Sequence, residues 1–371
     1  MVEPARQGDL LRACLRGDAS ALARAAPEFA VAEKVGAVVA RYVPSASWQV
    51  VRARDAARLG VLHRELGLMS ARLAATGLPF LLLRGPGLAR YWPDVTSRPF
   101  GDVDLLLPAA ASLPSVIAAL AELGHRVVRP VPLLQPHHRE TGPWCGVALN
   151  KDVADLGHPV YVDVIAPGPG VSRLDFMPLQ PSVWDQRTTI AVDGQGVPAL
   201  ALDDQALVFL LEQQERTAPL VRDALDAVYL GRTGLVDVTR VARGLAGLPV
   251  QPLARLQTLL AELEDPADGR WVAEVEQATV NSGVHPPVLP AQEYARMQSR
   301  VTNEADAYAW AVSGSAVHDT YNSGFPVYAF PGQNLPGGGL AADEIAPGWH
   351  GWTARALPLA TEEEITRAFG P

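Results

Sequence analysis

Two aspartates, Asp102 and Asp104, stand two positions apart in the run "GDVDLLLP", and a third, Asp163, stands in "HPVYVDVIAPGPG". Both runs have the apolar, β-branched character of strands. Side chains alternate across a strand, so Asp102, Asp104 and Leu106 share one face and Val103, Leu105 and Leu107 the other. By the same alternation Val160, Val162 and Val164 oppose Tyr161, Asp163 and Ile165. A carboxylate inside an apolar strand is costly unless a cation or a donor network meets it. Three carboxylates from two neighbouring strands can form an oxygen-rich cage for a hard cation such as Mg2+ or Mn2+. A cage of this kind can stabilise the attacking and leaving oxygens of phosphoryl or nucleotidyl transfer. Repulsion among the empty carboxylates would make the site depend on metal. The other reading of Asp-x-Asp is a strand end whose acids are salt-bridged, and the pair alone does not separate the two.

The elements that must position these acids are legible in outline. From Arg54 to Ala75 apolar residues fall at Leu59, Leu62, Leu66, Met69 and Leu73. Steps of three and four put them on one helix face. Gly77 and Pro79 are stop signals. "LPFLLLR" then predicts a buried strand ending at Gly85. After the Asp-x-Asp strand, Ser112 is placed to cap a short helix that has Pro114 near its start and Gly124 at its end. "HRVVRPV" reads as another strand. From Leu202 to about Glu264 the pattern is helical, and beyond Asp265 it turns rich in Gly, Pro and aromatics, closed by a short helix at "TEEEITRAF".

The 371 residues suffice for two or three domains with a real core. A net charge of −9 argues against broad binding to duplex nucleic acid. No apolar run approaches the roughly 20 residues that span a bilayer, and the N-terminus lacks the pattern of a signal peptide. Two cysteines without metal-type spacing, Cys14 and Cys145, suit a reducing, cytoplasmic compartment. Lysine occurs only at Lys34 and Lys151 while Arg, Ala, Pro and Gly abound, the bias of a high-GC bacterial genome.

The stretch "LPFLLLRGPGLARYWPDVTSRPFGDVDLLLP" resembles the uncharacterised nucleotidyltransferase family of the DNA polymerase β superfamily. That family carries a strand ending in Lys-Gly, a Tyr several residues on, then Arg, two spacers, Gly and Asp-x-Asp before an apolar run. Here Arg84-Gly85, Tyr91, Arg98, Gly101, Asp102 and Asp104 follow in that order. "YVDVIAP" matches the family's later acidic strand, so Asp163 matches its third acid. The helical "VRDALDAVYL" matches an acidic element at Asp223 and Asp226. The resemblance covers roughly residues 54–260. Arg84 stands for the family's Lys, Ile165 for its His, and "RGPG" holds the place of a Gly-Ser motif, with Pro86 removing one backbone donor.

The resemblance implies an α/β (α+β) polymerase β-like core with a small mixed sheet and helices before and after it, and the composition beyond Asp265 adds an accessory C-terminal region. Periodicity and composition along the chain divide it into an N-terminal helical region at 1–75, a core at 76–200, a helical domain at 201–265 and an accessory region at 266–371. The resemblance implies transfer of a nucleoside monophosphate from an NTP to a hydroxyl-bearing acceptor: a small metabolite, a peptide or an RNA end. Asp102, Asp104 and Asp163 are the implied metal ligands and catalytic acids. Arg84, Gly85, Arg98 and Gly101 are the implied nucleotide contacts. One alternative is a non-catalytic relative that binds or matures a partner in a biosynthetic pathway. Another is a phosphotransferase or hydrolase on the same cage.

Several residues carry two readings at this stage. Arg98 can grip phosphate bidentately or pair with an acid, and Arg84 has the same choice. Tyr91 can pack or stack on a base. Asp223 and Asp226, three apart on one helix face, can pair with Arg222 or Arg232 or help to position substrate. His137, His138 and His158 read as loop or strand-cap residues. "NLPGGGL" lacks the Lys-Ser/Thr of a phosphate loop, "SGSAVHD" with His318 lacks a nucleophile elbow, and "PGWHGW" around His350 reads as a packed turn.

Overall fold

The computed structural model describes residues 4–108, 112–134, 144–153, 159–167, 173–174, 177–178, 183–215, 219–246 and 253–282. The expectations for His137, His138, His158 and everything beyond 282 lie outside the described residues. Five helices come first: α1 (Pro4–Arg16), α2 (Ala19–Ala23), α3 (Pro27–Ala32), α4 (Gly36–Tyr42) and the long α5 (Ala46–Ala75). Strand β1 (Leu81–Leu83), the short α6 (Gly85–Ala89), β2 (Asp102–Leu106) and α7 (Leu113–Ala121) follow. Then come β3 (Arg126–Leu134), β4 (Trp144–Lys151), β5 (Val160–Pro167), β6 (Arg173–Leu174), β7 (Met177–Pro178), β8 (Thr188–Val192) and β9 (Gln195–Ala199). The remaining described elements are helices: α8 (Leu202–Glu215), α9 (Val221–Arg232), α10 (Val238–Leu245), α11 (Ala254–Leu260) and α12 (Ala267–Asn281).

Seven strands form one mixed sheet in the order β3-β4-β5-β2-β1-β9-β8. β2 runs parallel to β5 and β1 parallel to β9, while the other pairs are antiparallel. The expected mixed sheet with helices before and after it is therefore present. The alternation read from the sequence also holds. Val103, Leu105 and Leu107 of the β2 segment and Val160, Val162 and Val164 of β5 pack on one face. Leu59, Leu62, Leu66, Met69 and Leu73 of α5 and Val116, Ile117 and Leu120 of α7 cover that face. Removing each such side chain from water contributes about 1.5–3 kcal/mol. Leu81, Leu83 and Leu106 point to the opposite face, where Val208 of α8 meets them. The acids lie on this second face.

A separate apolar core joins the first helices to the last. Leu10, Leu11, Leu22, Val38 and Trp48 pack with Phe209, Leu225, Val228, Leu256, Trp271 and Val272. Trp48 belongs to this core and Leu59 onward to the sheet core, so the 30-residue α5 spans both. α12 lies beyond residue 265, where the composition turns toward Gly and Pro, yet Trp271, Val272 and Val275 are buried in this helical core. Trp271 Nε1 donates to the Ala227 carbonyl of α9 at 2.8 Å. Ser112 flanks α7 as expected, but its side chain makes no cap hydrogen bond.

Candidate functional site

The parallel pairing of β2 and β5 sets Asp102 opposite Tyr161, Val103 opposite Val162 and Asp104 opposite Asp163. Strands in one sheet lie about 4.8 Å apart, so the Asp104 and Asp163 side chains meet on the same face. Each of Asp102, Asp104 and Asp163 offers a carboxylate oxygen, and these oxygens lie within 4.8 Å of one another. Asp102 is exposed, Asp163 half-buried and Asp104 9% exposed. The cluster thus opens to solvent at Asp102 and closes at Asp104.

Burial pushes the Asp104 carboxyl up to about 8; the Arg84 charge opposes this, while Asp102, Asp163 and Glu212 add to it. At neutral pH Asp104 therefore tends to hold a proton that a cation would displace. The donor set is oxygen only, which fits a hard divalent ion and disfavours softer metals. The residues present fit such an ion.

Arg84 and Gly85 join β1 to α6. Arg84 adopts φ 44° and ψ −137°, a conformation that costs a non-glycine residue about 1–3 kcal/mol. Its amide donates to Gln205 Oε1 of α8 at 3.1 Å. Its Nε lies 3.6 Å from Glu212 Oε2, also on α8. Gly85 follows at φ +28°. Strand β1 pairs with β2 so that Leu83 opposes Asp104, which brings the Arg84 turn to the acids.

Arg98 takes the second of its two sequence readings. It is 4% exposed, and its Nε and Nη2 donate to Asp226 Oδ1 and Oδ2 at 2.6 and 2.8 Å. Its Nη1 donates to the Gly85 carbonyl at 3.0 Å. Asp226 also accepts from Trp92 Nε1 at 2.7 Å. Arg98 thereby ties the turn at Gly85 to α9. Asp223 accepts from the Leu220 amide at 2.9 Å and pairs with Arg222, as one reading had it. Arg232 pairs with Asp268 of α12, so Asp226 takes Arg98 in place of either expected partner. Gly101 accepts from Arg58 Nη2 at 3.3 Å, and a Cβ there would sit 3.0 Å from that atom. Tyr91 packs against the helical core, with its hydroxyl hydrogen-bonded to Arg90.

Gln205 and Glu212 are the site neighbours that the sequence reading missed. Their signal was present in "LDDQALVFLLEQQ": Gln205 and Glu212 bound the apolar run between them and, seven apart, lie two turns along one face.

The profile of a family described as "Uncharacterised nucleotidyltransferase" matches residues 30–263. No curated protein matches the chain. Among solved structures, an antigenic nucleotidyltransferase-like protein from Paracoccidioides brasiliensis is similar at 16% identity and a TM-score of 0.34. That match covers 57% of this chain and 92% of the other. The antibiotic-resistance factor ANT(2'')-Ia is similar at 13% identity and a TM-score of 0.28, covering 65% of this chain and 97% of the other. Among the described residues no helix is long and apolar enough to cross a membrane.

Proposed function

Because the chain belongs to the uncharacterised nucleotidyltransferase family, we propose that it transfers a nucleoside monophosphate from an NTP to a hydroxyl-bearing acceptor. The observation that carries this reading is the convergence of Asp102, Asp104 and Asp163 from paired parallel strands. These three acids would hold Mg2+ or Mn2+. A divalent ion held there would supply positive charge against the negative charge that develops on the triphosphate.

The chain's own residues do the rest. Arg84 presents a guanidinium beside Asp104 and offers it to the triphosphate. Arg98 orients the turn by fixing the Gly85 carbonyl. Asp163, half-buried beside Asp104, takes the proton of the acceptor hydroxyl. The acceptor oxygen then bonds to the α-phosphorus, the bond from that phosphorus to the bridging oxygen breaks, and pyrophosphate leaves with the electron pair. The acceptor is a small metabolite, a peptide or an RNA end. A cytoplasmic role in bacterial biosynthesis, where NTPs are at hand, accords with the composition.

Calorimetric titration with each of the four ribonucleoside triphosphates, with and without Mg2+, tests the reading. Metal-dependent binding that is lost in Asp102→Ala/Asp104→Ala supports it. A folded protein that binds no triphosphate sinks it in favour of a non-catalytic binding partner. Release of a nucleoside diphosphate instead of pyrophosphate, once an acceptor is in hand, sinks it in favour of phosphotransfer, or of hydrolysis where orthophosphate accompanies the diphosphate.

A further inference from the structure

Gln205 is 1% exposed and sits three residues into α8, far from the acids in sequence. Its Oε1 accepts the Arg84 amide at 3.1 Å, and its Nε2 approaches the Leu82 carbonyl at 3.5 Å. It reaches the turn through a gap that only glycine leaves. A Cβ on Gly87 would stand 2.1 Å from Gln205 Nε2 and 3.0 Å from its Cδ. Arg84 meanwhile holds a left-handed φ of 44° that its side chain disfavours. Such a conformation persists only where neighbours over-determine it. Here the neighbours are Gln205 on the Arg84 amide and Arg98 on the Gly85 carbonyl. Val208, one turn beyond Gln205 on α8, packs on Leu81 and Leu83 and keeps the helix seated against β1.

We propose that Gln205 is a positioning residue for the triphosphate: by holding the strained Arg84 amide it aims Arg84 and Gly85 at the phosphates. The proposal rests on the reading of Arg84 and Gly85 as phosphate contacts. Gln205 itself touches no substrate.

The test uses the full chain and two variants that remove the contact in different ways. Gln205→Met keeps the volume and loses the acceptor. Gly87→Ala leaves Gln205 in the sequence but evicts its side chain. Two readouts are taken: exchange of the Arg84 amide by NMR, and calorimetric affinity for Mg2+-triphosphate and for Mg2+ alone. The expected result is about tenfold faster exchange at Arg84 and about tenfold weaker triphosphate binding in both variants. Affinity for Mg2+ alone stays as in the parent protein, which a general loss of structure would not allow. In an Arg84→Gly background, where the left-handed turn carries no strain, Gln205→Met costs little further affinity.

Unchanged exchange and unchanged triphosphate affinity in both variants overturn the proposal. So does an equal loss from Gln205→Met with and without Arg84→Gly. If the parent protein binds no triphosphate, the phosphate-contact reading falls and the positioning role falls with it. The exchange data then show separately whether Gln205 holds the turn.

Discussion

Asp104 and Asp163 are direct partners across the parallel β2–β5 pair, two acids of one face set side by side by the register of the sheet. Sliding either strand by one residue would turn its acid to the apolar face under α5. The register is held by Val103, Leu105, Val162 and Val164, all fully buried on that face. Packing on one side of the sheet therefore sets the electrostatics on the other.

Asp104→Asn should relieve the least exposed of the clustered charges. At about pH 9 and without metal, the variant is expected to melt above the parent protein by about 1–2 °C, roughly the effect of 1 kcal/mol in a protein of this size. Added Mg2+ should raise the melting temperature of the parent protein and leave that of the variant unchanged. Differential scanning calorimetry in chelator and in Mg2+ reads both. A variant that melts lower than the parent would show that Asp104 supports the fold in its charged form.

The Asp104 carboxyl is raised by burial from 3.8 to about 8, with Arg84 opposing the shift. Between those values the folded chain keeps a proton that the unfolded chain has released. Asp104 thus contributes stability that is full below the unfolded value and is lost as pH rises toward about 8. Mg2+ displaces that proton, so stabilisation by Mg2+ should grow with pH over the same window and then level off. Calorimetric titrations in buffers of different ionisation enthalpy should show about one proton released per Mg2+ near neutral pH. A Mg2+ affinity that does not vary with pH would refute the assignment.

Asp226→Ala leaves the Arg98 charge buried without its bidentate partner and takes the acceptor from Trp92. Removing one member of a buried pair costs about 3–5 kcal/mol. Asp226→Leu combined with Arg98→Met should cost less than either change alone, because no charge is then left unpaired. Chemical denaturation followed by tryptophan fluorescence measures both. Additive losses would mean that the pair is not the reason for the burial.

Gly231 lets α12 approach α9. A Cβ there would stand 2.7 Å from Trp271 Cδ1 and 3.0 Å from the Asp268 carbonyl. Gly231→Ala should therefore cost about 1–3 kcal/mol through overpacking, despite the better helix propensity of Ala. A rise in the denaturation midpoint, the outcome that propensity alone predicts, would show that α12 does not sit against α9 in solution.

Periodicity made much of this molecule legible. The α5 stripe from Leu59 to Leu73 and the alternation in β2 and β5 are local patterns, and the packing follows them. The same alternation placed the three acids on the faces they occupy. Long-range polar partners were harder to read. Gln205 lies 121 residues from Arg84, and Asp226 lies 128 residues from Arg98. Glu212 likewise meets Arg84 across the fold, from α8 to the turn after β1. A lone polar residue in an apolar helix shows that a partner exists without showing which one.

Residue type and spacing alone determined that two strands each carry acid on one face, and left a hard-cation cage and a salt-bridged strand end both open. Side-chain direction along a strand is a local property with a period of two. Only the tertiary structure decided that β2 and β5 are parallel neighbours with Asp104 against Asp163. It alone turned Arg98 inward to Asp226 and brought α8 over the Arg84 turn. Strand partners and long-range ion pairs are chosen by the packing of the whole chain, where burial makes each charge find a partner and distance along the sequence carries no information about which.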